Sequence, residues 1–252
     1  MNIKNYKKNI IKKKSNLGSL CPFNCNNLDQ YNYNVTYFYK ELLKNKLEKK
    51  KIINDNKKKE IILYHKNKPK FKLLKKIASG GYGKVYNIED YKFKNKKYIC
   101  KIIKKKKKFT NNDIYDLLFY NNINEVYNEV MIHFNLSCIS DNIPEIKCVS
   151  MDEDNFYIII EYIKYDIEYY LNNHSLKENV IFVINMFLIV SVILKKFQKY
   201  KFEHGDLHLY NVMYNINEYG EYKFYIIDFG MSKFKNKYIN YNSDYYNIDN
   251  KN

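Results

Sequence analysis

The chain has 252 residues and a formal net charge of +17, from 44 Lys+Arg against 27 Asp+Glu, and not one of the 44 is arginine. That length accommodates one domain or two small lobes, and the lysines are spread along it. The charge therefore nominates no specific nucleic-acid partner, and no guanidinium fork exists to grip phosphate or guanine. Five irregularly spaced cysteines, Cys21, Cys25, Cys100, Cys138 and Cys148, exclude a disulfide framework and predict a reducing, cytoplasmic setting.

The first residues, Met1-Asn2-Ile3-Lys4, lead into no apolar stretch, so no signal peptide is expected. Cys21 and Cys25 form a lone C-x₃-C without a second ligand pair, which argues against zinc. Residues 1–67 are a Lys/Asn-rich extension, either a disordered basic arm or a small helical piece. Val35, Phe38, Leu42 and Leu43 fall at helical spacing before Lys49-Lys50-Lys51 breaks the pattern.

From residue 68 the pattern changes. Phe71–Ile77, Lys84–Ile88 and Tyr98–Ile103 are short, β-branched or aromatic, and predict strands. A helix is expected over Asn122–Leu136, and two strands, Ile146–Met151 and Phe156–Tyr162, flank the acidic turn Asp152–Asn155. The long helix Lys177–Tyr200 contains an apolar run from Val180 to Leu194, interrupted by Asn185 and Ser191. That run falls short of the ~20 residues a bilayer span needs. It predicts a buried helix and no membrane partner.

Chemistry-bearing residues punctuate this order. Gly80, Gly81 and Gly83 sit between two strands, where glycine lets backbone amides approach phosphates closely. A plain hairpin turn uses glycine too. Lys101 stands alone in an apolar strand, a costly place for an ammonium without a partner. The plainer alternative is an exposed edge strand running into Lys104–Lys108. Glu125 and Glu129 are four apart and share a helical face beside Val126, Val130 and Phe134. Downstream lies His204-Gly205-Asp206-Leu207-His208-Leu209-Tyr210-Asn211, and seventeen residues after that Asn comes Asp228-Phe229-Gly230. One carboxylate to orient a hydroxyl, with an amide and a second carboxylate as hard oxygen ligands for Mg²⁺, is the inventory of phosphoryl transfer.

The pattern H-x-D-x-x-x-x-N…D-F-G resembles the catalytic and metal-binding loops of the protein-kinase superfamily. The element order is that of its α+β, two-lobed fold. The resemblance implies an antiparallel N-lobe with one helix over residues 68–163 and a shortened helical C-lobe over 164–252. It implies an ATP-dependent, Ser/Thr-directed protein kinase using Mg²⁺ and acting on a protein substrate. Residue by residue, it places Ala78, Gly80, Gly81, Gly83 and Val85 around the nucleotide, Ala78 replacing the first glycine and Tyr82 taking the aromatic position. Lys101 would brace the phosphates. Glu129 is favoured over Glu125 as its partner, since apolar residues follow it. Ile160 would be the gatekeeper, and the backbone of Glu161 and Ile163 would meet the adenine edge. Asp166 would reach the ribose or simply cap a helix. Asp206 would be the base, Asn211 and Asp228 the metal ligands, and His204 a structural residue beneath Phe229.

Several positions depart from the family pattern. Ile99 narrows the adenine pocket. Gly205 stands where many kinases carry the Arg that reads a phosphorylated activation loop, and His208 stands where a Lys is usual. His-Gly-Asp-Leu-His is also similar to aminoglycoside and choline phosphotransferases, so a small-molecule acceptor is one alternative and a non-catalytic nucleotide-binding scaffold another. Twenty-two residues follow Gly230, without an A-P-E-like motif. The resemblance covers 71–234 and leaves open a minimal kinase, a truncated reading frame or a protein completed by a partner.

Overall fold

The computed structural model describes residues 28–53, 59–81, 83–93, 96–106, 122–198 and 200–234, so the expectations on Cys21, Cys25 and Tyr82 lie outside it. Helix α1 (Leu28–Lys44) turns Val35, Phe38 and Leu42 inward, each under 4% exposed, as their i, i+3, i+7 spacing requires. Seven strands follow: β1 (Glu48–Ile53), β2 (Lys59–His65), β3 (Lys68–Gly80), β4 (Gly83–Asp90), β5 (Lys97–Lys104), β6 (Ile146–Met151) and β7 (Asn155–Glu161). They form one sheet in the order β1-β2-β3-β4-β5-β7-β6, every neighbouring pair antiparallel. Between β5 and β6 comes helix α2 (Ile123–Ile139).

Period-2 alternation sends residues of the central strands to two faces. One face, with Ile158 and Ile160, packs against α1 and α2. The other, with Cys100, Tyr157 and Ile159, is closed by Leu47, Leu63, Phe71 and Leu73 as the sheet curls over itself. Residues 48–65 thus contribute two further strands where the composition suggested an arm or a helical piece. Strand β1 has no alternation to reveal it: Lys49, Lys50 and Lys51 are all exposed, and pairing with β2, which buries Ile62 and Leu63, holds it.

The second lobe comprises β8 (Tyr165–Asp166), α3 (Ile167–Asn173), α4 (Leu176–Gln198), β9 (Phe202–Glu203), β10 (Val212–Ile216), β11 (Tyr222–Ile226) and β12 (Lys233–Phe234). Its core joins α3, α4, β10 and β11 to the end of α2 and to Phe229. Helix α4 corrects the expectation of a buried helix. It buries Phe182, Met186, Val190, Ile193 and Phe197 on one stripe but leaves Ile184, Phe187, Leu188 and Val192 more than half exposed. Its partners lie on one side only, and a continuous apolar run does not disclose which side that is. Among the described residues it is the one helix long and apolar enough to cross a membrane by length and composition.

Candidate functional site

Strand register brings the first members together. Val85 pairs with Lys101 across β4 and β5, and Lys101 pairs with Ile158 across β5 and β7. Directly opposed residues share a face, so Val85, Lys101 and Ile158 lie on the side that also holds α2. Ile160 pairs with Ile99 on that side and is 8% exposed. The glycine hairpin joins β3 to β4, with Ala78 opposite Val85 and Gly80 opposite Gly83. Gly83 has φ +135°, and a Cβ there would stand 2.4 Å from the Ile102 carbonyl oxygen, so β5 admits only glycine at that point. Gly80 and Gly81 have open space around them.

Lys101 is 7% exposed and Glu129 likewise. The Lys101 ammonium donates to Glu129 Oε1 at 2.7 Å and to Asp228 Oδ1 at 3.0 Å. Glu125, the rival on the same helix, pairs with Lys106 instead. Burial pulls the Lys101 pKa down, and the two carboxylates more than reverse it, so the ammonium is held above its ordinary value. Burial likewise lifts Asp228, but Lys101 and the Gly230 N–H outweigh it and hold that carboxyl below the usual range. Asp228 sits at φ +58°, a left-handed conformation that these bonds to Lys101 and Gly230 maintain.

The loop before β10 supplies the rest. Val212 pairs with Ile226, and the Ile227 N–H donates to the Asn211 carbonyl at 3.0 Å, which sets Asn211 beside Asp228. The Asn211 side-chain NH₂ donates to the Asp206 carbonyl at 2.7 Å and lies 3.4 Å from Asp206 Oδ2. That orientation leaves its Oδ1 for a cation. His208 Nε2 accepts from the same amide at 3.2 Å and stands 3.6 Å from Asp206 Oδ2. His204 donates from Nε2 to the Ile227 carbonyl at 3.1 Å, and its ring lies 5.4 Å from that of Phe229. Burial lowers its pKa, and the Ser232 hydroxyl donates to its carbonyl at 2.8 Å.

Gly205 has φ +79°, and a Cβ there would come within 2.3 Å of the Met231 carbonyl oxygen. This backbone therefore admits no side chain at the position where many kinases carry arginine. Asp166 caps α3, accepting from the Tyr169 N–H at 2.6 Å. Glu161 and Ile163 stand at the link between lobes. There the Glu161 N–H donates to the Glu145 carbonyl at 2.9 Å, and Ile163 is 3% exposed.

Sequence reasoning missed His133, one helical turn beyond Glu129. It donates from Nε2 to the Pro144 carbonyl at 2.6 Å and lies 5.0 Å from the Phe229 ring. Its signal was a lone imidazole in an apolar helical face.

Under the glycine hairpin a cleft of about 710 Å³ reaches from Gly81 and Gly83 to Glu129 and Gly230, with Lys49, Lys84 and Lys104 along its lining. Glycine amides and ammonium groups there favour a polyanion. No group of three or more His, Cys, Asp and Glu forms a metal site among the described residues. Asn211 and Asp228 offer two hard oxygens. That donor set fits Mg²⁺, which keeps most of its shell for waters and phosphates. A family model described as the protein kinase domain matches residues 71–247. No curated protein matches the chain.

Proposed function

The chain belongs to the protein kinase domain family, and from that we propose that it transfers the γ-phosphate of Mg-ATP to a serine or threonine hydroxyl of a protein. The observation that carries this reading is the Lys101 ammonium, buried and bonded to Glu129 and Asp228 at 2.7 and 3.0 Å. A charge so buried needs partners, and here one of them, Glu129, lines a cleft that also holds Gly80, Gly81 and Gly83.

When bound, Mg-ATP supplies the phosphoryl group and the cation that neutralises developing charge. Lys101, fixed by Glu129, holds the α- and β-phosphates, while Gly80, Gly81 and Gly83 cover them with backbone amides. Val85, Ile99 and Ile160 enclose the adenine, and the backbone at Glu161 and Ile163 meets its polar edge. Asn211 and Asp228 hold Mg²⁺. Asp206, whose side chain is 48% exposed, orients the acceptor hydroxyl and takes its proton. We place this reaction in a reducing cytoplasm, where Cys100, Cys138 and Cys148 carry no disulfide.

The test is Mg²⁺-dependent transfer of labelled phosphate from ATP into a test protein, recovered as phosphoserine or phosphothreonine. Asp206→Asn and Asp228→Ala should each lower the rate by a factor on the order of 10² to 10⁴. Labelled choline or aminoglycoside without labelled protein would move the acceptor to a small molecule. A folded, nucleotide-bound wild type that labels neither would overturn the reading.

A further inference from the structure

Helix α1 lies before the matched residues 71–247, so the kinase domain family does not account for it. Its inward stripe of Val35, Phe38 and Leu42 is almost wholly buried, at 0%, 2% and 3% exposure. The stripe meets Ile123, Val126, Tyr127, Val130 and Met131 of α2, and the Phe38 ring stands edge-on to Tyr127 at 5.4 Å and 66°.

Helix α2 needs such a cover. It buries Val126, Glu129, Val130 and His133 along with Tyr127, Met131 and Phe134, and leaves a stripe of Asn124, Asn128 and Asn135 only half-buried. A buried face this wide needs more than one packing partner. The sheet and the second lobe cover one side, and α1 covers Tyr127.

The brace is itself anchored. Beyond the end of α1, the Asn45 carbonyl accepts from the Ser150 hydroxyl, and the Leu47 N–H donates to the Met151 carbonyl at 2.8 Å. Both anchors belong to β6, in the same sheet as Lys101. The start of α2 is tied down separately. The Asn122 amide donates to the Lys104 carbonyl at 3.1 Å and accepts from the Lys106 N–H at 3.3 Å.

We propose that α1 is a built-in brace that holds α2, and so Glu129, in its paired position on Lys101, with Phe38 as the principal positioning residue. Any displacement of α2 that draws Glu129 away from Lys101 must also slide Tyr127 against Phe38, which β6 holds in place. The chain carries its own support for the ion pair.

This inference rests on the kinase reading above, and the test separates the two. A double-mutant cycle combines Phe38→Ala with Glu129→Gln, reading kcat for phosphate transfer and, independently, Mg-ATP affinity by calorimetry. Coupled residues depart from additivity, whereas independent ones do not. In the Glu129 background, Phe38→Ala should lower kcat and weaken Mg-ATP binding by roughly tenfold, about 1.4 kcal/mol. In the Glu129→Gln background the same change should alter either by less than about twofold. Phe38→Leu, which keeps an apolar filler, should restore most of the loss.

Equal losses in both backgrounds would overturn the brace, because a merely structural role lowers both alike. If Phe38→Ala fails to fold, the cycle is run with Tyr127→Leu, which removes the ring that Phe38 meets, with the same two outcomes. A wild type that binds Mg-ATP without transferring phosphate would fail the functional reading alone, since the affinity cycle still decides the brace.

Discussion

At the scale of single residues, the buried charges explain one another and the buried imidazole stands apart. His133 is 3% exposed, and burial lowers its pKa to about 4. In the unfolded chain it titrates near ~6.5. Between those values the unfolded chain binds more protons than the folded one, so stability rises with pH and falls on acidification. The full effect is about 3 kcal/mol, lost as pH drops from roughly 6.5 to 4. His204, lowered by burial as well, adds in the same direction. His133→Gln keeps an N–H for the Pro144 carbonyl and removes the proton site. Urea midpoints measured across that window should then fall less steeply than in the wild type, and an unchanged slope would assign the acid sensitivity elsewhere. At this scale the sequence was unevenly legible. Lys101 could be read because a single charge in an apolar strand has few excuses. Glu129 and Glu125 could be separated only on the apolar residues that follow, because the insertion before α2 loosens the register. Gly205 looked like a lost regulatory residue, yet its cause is a carbonyl 26 residues away at Met231, a contact no local pattern displays.

At the scale of elements, local codes and tertiary pairing divide the fold between them. Strands β5, β6 and β7 and helix α2 follow their β-branched runs and helical spacing to within a few residues. Strand β1 follows nothing local. Its row of lysines reads as a solvated tract, and it becomes a strand through its ladder with β2, an instance of context overriding propensity. Helix α3 shows the opposite balance. Asp166 was readable as a cap or as a ribose ligand, and its carboxylate accepts the Tyr169 N–H. Asp166→Ala should cost about 1 kcal/mol of stability, with Asp166→Asn nearly neutral. Thermal melting and the KM for ATP, measured on the same variants, separate the roles. We expect the melting temperature to move and KM to stay. A raised KM with unchanged melting would put Asp166 on the nucleotide.

At the scale of the whole molecule, the two lobes are joined by polar and by apolar contacts, among them the Asn142 amide, which donates to the Phe224 carbonyl at 2.8 Å. Lys101 reaches Asp228 across the cleft, and α2 sends Ile132 and Leu136 into the core of the second lobe. The asymmetry of α4 exposes an apolar face. Ile184, Phe187, Leu188 and Val192 stand 54–62% exposed along one side, a contiguous apolar patch of a kind monomers seldom present. Native protein should therefore bind an environment-sensitive apolar dye. Ile184→Lys combined with Leu188→Lys should reduce that fluorescence while shifting stability by no more than about 0.5 kcal/mol per site. Undiminished fluorescence would place the dye site elsewhere.

Among the described residues, the strand that roofs the glycine-lined cleft also has a free side. β2 accompanies β3 only from Lys68 to Leu73, so of the described residues only β4 flanks 74–80. An unpaired edge invites capture by another chain. Here the register slips twice, around Lys76, and Lys75 and Lys76 are exposed. Bulges and charges are the features that discourage a second backbone from docking. The open margin is thereby kept from recruiting a neighbouring molecule into a growing sheet.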